Sequence, residues 1–192
     1  MASRTDIANL ALTRLGAAHI VALDDDSVAA GVINTLFAPA VEAELRANLW
    51  HFSRTRARLA QMVDAPTFGF AAQYMLPADC LRLLRVSGIP GNPAQQPPWQ
   101  IEAGRILINH SGPLDILYIA RVDDSGRFDA LFVQVLAARL ALEACERITN
   151  SNTKKQMLAE DYAQALKTAR RANAIERPAV RPADGTWLAA RR

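Results

Sequence analysis

The sequence predicts a mainly α, α+β fold: a four-helix bundle with a small inserted antiparallel β unit and an extended C-terminal tail. Three observations predict it. Apolar residues recur at helical spacing over about 4–16, 27–49, 129–149 and 153–175. Between the second and third of these stretches, over about 53–121, the period shifts toward two. After Glu176 the helical period ends, and Pro178 and Pro182 bias the chain to extended backbone.

The first helix can be capped by Ser3 or Thr5, with Ile7, Leu10, Ala11 and Leu15 on one face and Gly16 as its stop. The loop from Ala17 ends in Asp24-Asp25-Asp26, where carboxylates can cap the next helix and meet its positive end. Three adjacent aspartates could also attract a divalent cation, but no other ligand accompanies them. The second helix runs from about Ser27 to Leu49, with Ala29, Val32, Ile33, Leu36, Val41, Leu45 and Leu49 as its buried stripe. Pro39 lacks an N–H and collides with the Thr35 carbonyl, so a kink or break is expected there. Trp50 and Phe52 should close over the core.

Arg54, Arg56 and Arg58 alternate with Thr55, Ala57 and Leu59, as on a strand with one solvated face. That face is either simply wet or meets an acidic neighbour. Further strands are expected at Tyr74–Leu76, Leu81–Val86, Trp99–Glu102, Arg105–Asn109 and Leu114–Arg121. Ala103-Gly104 and Ser111-Gly112-Pro113 supply tight turns, and Ser87–Pro98 is a Pro- and Gly-rich loop. Asp129 can cap the third helix, with Leu131, Phe132, Val135, Leu136, Leu140 and Cys145 inward and Gln134, Arg139, Glu143, Glu146 and Arg147 outward. Thr153 and Gln156 have capping-box spacing for the fourth helix, whose inward residues are Leu158, Tyr162, Ala165, Leu166 and Ala169. The last two helices should form a hairpin. Residues 1–175 thus read as one domain and 176–192 as an extended C-terminal arm, in which Trp187-Leu188 is an isolated apolar pair that either anchors in a partner's pocket, docks back onto its own domain or stays disordered.

Chemistry is sparse. His19, His51 and His110 lie in separate segments, and Cys80 and Cys145 lack metal-ligand spacing. There is no nucleophile elbow, phosphate loop or dinucleotide fingerprint. Asp79 with Asp115, or Asp123 with Asp124, could be imagined as acid–base pairs, but adjacent aspartates in turns are usually turn formers. The expectation is no catalytic residues, no cofactor and no metal. The formal net charge is +3, carried by arginine except for Lys154, Lys155 and Lys167. Arginine suits protein interfaces, and GC-rich coding also favours it. Without a basic reader helix or an aromatic platform, sequence-specific DNA binding is not expected. No apolar run approaches the roughly 20 residues that cross a bilayer, and Met1–Asp6 lacks a signal pattern, so a soluble protein made in the cytoplasm is expected.

The order of these segments resembles the head-to-tail adaptor family of tailed bacteriophages, which includes tail-tubular-protein-A-like proteins and gene transfer agent connectors. The resembling stretches are Ala11-Leu12-Thr13-Arg14-Leu15-Gly16, Leu45-Arg46 through Trp50-His51-Phe52, Tyr74 through Leu76-Pro77 and Asp79-Cys80-Leu81-Arg82, and the hairpin Phe128–Ala174. Together they span about residues 5–175. The resemblance implies a structural virion protein: a twelve-subunit ring under the portal protein at the head–tail junction, in a family whose members can remain monomeric until the portal templates the ring. The ring would extend the channel for passing double-stranded DNA and seat a tail tube, stopper or nozzle protein. It makes Arg177, Pro178, Arg181, Pro182, Trp187, Leu188, Arg191 and Arg192 the candidate portal-binding arm. Asp24, Asp25 and Asp26 could pair with Arg54, Arg56 and Arg58 between neighbouring subunits. The alternatives are a tail-associated cell-wall hydrolase, which needs a carboxylate pair in a cleft, and a DNA-binding module.

Overall fold

The computed structural model describes residues 2–87 and 98–176; most of the loop Ser87–Pro98 and the arm 177–192 lie outside the described residues. Within them the chain is mixed α+β, with four α-helices and two small antiparallel sheets. The helices are α1 (Arg4–Leu15), α2 (Val28–Ala47), α3 (Ala130–Thr149) and α4 (Asn152–Ile175). The strands are β1 (Arg54–Leu59), β2 (Ala72–Met75), β3 (Cys80–Ser87), β4 (Trp99–Glu102), β5 (Arg105–Ile108) and β6 (Leu114–Ala120).

Helix α3 is the hub: α1, α2 and α4 each pack against it, and residues of all four helices share one apolar cluster. Its sequence makes this possible, because apolar residues bury nearly its whole circumference, including Val135, Leu136, Ala137, Ala138, Leu140 and Ala141. Helix α1 starts at a full capping box: the Ser3 hydroxyl accepts from the Asp6 N–H, and the Asp6 carboxylate accepts from the Ser3 N–H at 2.8 Å. The backbone hydrogen bond holds Asp6 below its ordinary pKa. Gly16 ends the helix in the left-handed conformation, φ +66°, and the Lys154 ammonium donates to the Leu15 carbonyl, placing a cation at the helix's negative end.

Several expected details are corrected. Ser27, not the aspartates, caps α2; Asp25 instead accepts from the backbone N–H groups of Val21 and Ala22 at 2.7 and 3.1 Å and closes the preceding loop. Pro39 does not break α2. Both Pro39 and Thr35 are exposed, so water can serve the carbonyl that loses its partner. The helix ends at Ala47, which leaves Leu49 outside it and 39% exposed; Leu10 of α1 is 36% exposed, while Leu12 and Phe37 are buried instead. Ser151 caps α4 in place of the Thr153–Gln156 box. Helix α2 is also long and apolar enough to cross a membrane by length and composition, contrary to the sequence expectation. Here Ile33, Phe37, Val41 and Leu45 are spent on the core.

The inserted β region is two sheets rather than one unit. Their strand orders are β1-β6-β3 and β2-β5-β4. Tyr74, Ile106 and Ile108 from the second sheet and Val86, Leu114, Ile116 and Tyr118 from the first build a core of their own. Strand β6 is buried on both faces only toward its C-terminal end: Ile116 and Tyr118 enter this core and Ile119 turns to the helical one, while Asp115 and Leu117 are half-buried. The β4–β5 hairpin turns on Ala103 and Gly104, φ +46° and +73°, the left-handed pair that a two-residue hairpin requires. An aromatic cluster fixes where the chain leaves and re-enters the helices. Trp50, Phe52 and Phe128 each lie 4.9–5.0 Å from Phe132 in edge-to-face geometry.

Candidate functional site

The polar groups of the helical region converge on Glu44. This carboxylate sits on the inward stripe of α2 between Val41 and Leu45 and is completely buried. One oxygen accepts from the Arg139 guanidinium at 2.8 Å and from the Tyr162 hydroxyl at 2.6 Å; the other accepts from the Asn48 amide at 2.9 Å. The Glu44 carbonyl takes the Trp50 indole N–H at 3.0 Å. Arg139 also holds Glu143 at 2.8 Å. Burial opposes the Arg139 charge, but its bonds to Glu44 and Glu143 outweigh that, so the guanidinium is driven further toward its charged form. Burial, and then the bond to Glu44, pushes the Tyr162 phenol up to about 12. One carboxylate therefore ties α2, α3 and α4 together, and its oxygens are occupied by protein donors.

Above this lock opens a cleft of about 440 Å³ lined by Asn48, Trp50, His51, Arg82, Arg170 and Asn173, among others. Arg170 donates to the Asn48 side-chain carbonyl at 2.8 Å. The His51 N–H donates to the Asn173 side chain at 3.2 Å, the His51 ring meets the Asn173 carbonyl at 2.8 Å, and the Asn173 amide donates to the Leu49 carbonyl. His51 thus anchors the last turn of α4, beside the point where residues 177–192 begin.

Three of the four aspartates considered for acid–base chemistry are engaged separately, and Asp123 is exposed. Asp79 accepts from the Tyr118 hydroxyl at 3.2 Å, Asp115 pairs with Arg58, and Asp124 caps a short turn through the Gly126 N–H. Burial, reinforced by the Asp79 charge and hydrogen bond, pushes the Tyr118 phenol up to about 12. Cys80 and Cys145 are both free thiols; burial, and then the charge of Asp79, pushes the Cys80 thiol up. Among the described residues no three His, Cys, Asp or Glu side chains gather as a metal site.

Of the predicted interface residues, Asp24 and Asp26 are exposed at the start of α2, and Asp25 is engaged by its own loop. Arg54, Arg56 and Arg58 lie on β1 as expected, but Arg58 is held within the chain by Asp115, whose carboxyl it keeps below the usual range. The arm residues Arg177, Pro178, Arg181, Pro182, Trp187, Leu188, Arg191 and Arg192 lie outside the described residues. The Glu44 lock was missed by sequence reasoning, which placed Arg139 outward. A charged residue in helical phase with Phe37 and Val41 was its only signal. Compared with protein-family models and with curated proteins, the chain matches no family model and no curated protein.

Proposed function

We propose that this chain is a structural virion protein, the subunit of a head-to-tail adaptor ring. The observation that carries the reading is the division of labour among its polar groups. The buried Glu44 carboxylate is saturated by Arg139, Tyr162 and Asn48, while the exposed guanidinium groups of Arg56 and Arg85 have no acidic partner among the described residues. A subunit built to be held between neighbours needs a locked core and adhesive faces, not titratable groups poised for chemistry. Supporting it, residues of the four helices share one apolar cluster, and the β region enters at the aromatic cluster between the second and third helices, the order the resemblance implies. In this reading the ring docks on the portal protein at the head–tail junction, extends the DNA channel without reading sequence, and presents a platform to a tail tube, stopper or nozzle protein. Assembly takes place in the host cytoplasm, residues 176–192 are the portal-holding arm, and neither catalysis nor a cofactor is involved.

The test is native mass spectrometry with a purified portal protein from the same genome. The full chain should join the portal as a stoichiometric ring, and a chain truncated after Ile175 should not. A full chain that ignores the portal would sink the reading.

A further inference from the structure

The arginines of the first sheet form more than the single stripe on β1. Strand β6 pairs with both neighbours, so residues fall in rows across the sheet. These are Arg54–Ile119–Arg82, Arg56–Leu117–Arg85 and Arg58–Asp115–Ser87. The alternate β6 residues Ile116 and Tyr118 enter the sheet core, so the rows occupy the opposite face. Arg56, Arg58, Arg82 and Arg85 are exposed on it. Its one carboxylate, Asp115, is taken by Arg58 through two contacts of 2.6 and 3.0 Å. The Arg82 side chain reaches the Arg46 carbonyl at 3.4 Å, and the side chains of Arg56 and Arg85 have no hydrogen bond or ion pair among the described residues. Between Arg56 and Arg85 runs a groove of about 400 Å³ whose lining includes Leu117 and Ile116.

We propose that this face docks the Asp24–Asp26 loop of a second copy of the chain. The loop is its complement in charge, with exposed apolar flanks. Asp24 and Asp26 are exposed and have no partner among the described residues, and Asp25 stiffens the loop by binding its backbone. Val21 and Val28 flank the aspartates at 89% and 70% exposure, which suits an apolar-floored groove edged by guanidinium groups. The loop precedes α2 and the arginine face follows it. A 20-residue helix is about 30 Å long, so a molecule's loop cannot reach its own face. The contact therefore joins two molecules through different patches, an arrangement that closes into a ring when it runs head-to-tail and the rotation permits. Duplex phosphate fits less well, because Asp115 sits within the face and the groove floor is apolar.

The ring rests on the adaptor reading; the contact between two copies does not. Sedimentation equilibrium of the full chain separates them. At low salt its mass should rise above the monomer with concentration, and salt should reverse this. Arg56→Glu with Arg85→Glu should weaken the association about tenfold or more, as should Asp24→Arg with Asp26→Arg; an equal mixture of the two variants should restore it. Melting curves matching the unaltered chain would exclude misfolding. A monomer at every concentration in low salt overturns the proposal, as does association that survives either reversal or a mixture that stays monomeric. Salt-sensitive duplex DNA binding that the arginine reversal abolishes, without self-association, would overturn it in favour of phosphate. Charge-swap rescue without portal binding would sink the adaptor reading alone, and portal binding without rescue would sink this contact alone.

Discussion

The helical and sheet regions handle charge in opposite ways. Among the helices, Glu44 is buried at the meeting of α2, α3 and α4, and Arg139, Tyr162 and Asn48 close every approach to it. On the first sheet, Arg56 and Arg85 stand exposed, and the one local carboxylate is already paired with Arg58. Specificity therefore lies in the core of one region and on the surface of the other. A buried ion pair fixes how helices sit against one another, because any other packing strands a charge in apolar surroundings. An exposed guanidinium contributes little to folding and remains available to a partner.

The largest expected effects break the helical side. Arg139→Met leaves Glu44 buried without its counter-charge and should cost about 3–5 kcal/mol in urea unfolding. Adding Glu44→Gln should recover much of that loss, since the stranded charge is gone. Phe132→Ala removes the ring on which Trp50, Phe52 and Phe128 all rest, and about 3–5 kcal/mol is expected there too. Pro39→Ala should stabilise by about 1–2 kcal/mol, because an exposed helical position regains a good helix former while the unfolded chain gains freedom.

Alkali sharpens the comparison. Tyr162 in the helical lock and Tyr118 in the sheet core both have phenols raised to about 12, and burial raises Tyr74 as well. A raised folded pKa means the native state holds the proton more tightly than the unfolded state. The associated stability is whole below the ordinary phenol value of 10.0 and is lost as pH rises toward 12. Absorbance at 295 nm should show all three tyrosines ionising late in the native protein and near their ordinary value in denaturant. Tyr162→Phe should flatten part of the alkaline loss of stability. At the small end, Asp115→Asn should leave the melting midpoint where it is, since its partner Arg58 is bathed in solvent.

Much of the fold was legible because its signals are local. Alternation bounded by Pro and Gly marked every strand near its observed position, and Asp129 and Gly16 marked helix ends correctly. What failed depends on partners distant in sequence. Arg58 meets Asp115 across 57 residues, and no local period reveals that β1 pairs with β6. Two sheets were therefore read as one unit, and the arginines of β1 were not joined to those of β3. The Glu44 lock escaped for the same reason, since its donors come from three different segments. Leu10 and Leu49 were assigned inward because the apolar period alone cannot fix which edge of a stripe meets the neighbouring helix.

The most direct test of the central claim, a locked core carrying adhesive faces for assembly, is the mass of the complex formed with the portal protein. The unaltered chain should appear as a full ring on the portal. The Arg56→Glu, Arg85→Glu chain should keep its melting curve yet fail to complete that ring. A complete ring from the charge-reversed chain, or no portal complex from the unaltered one, would contradict the account.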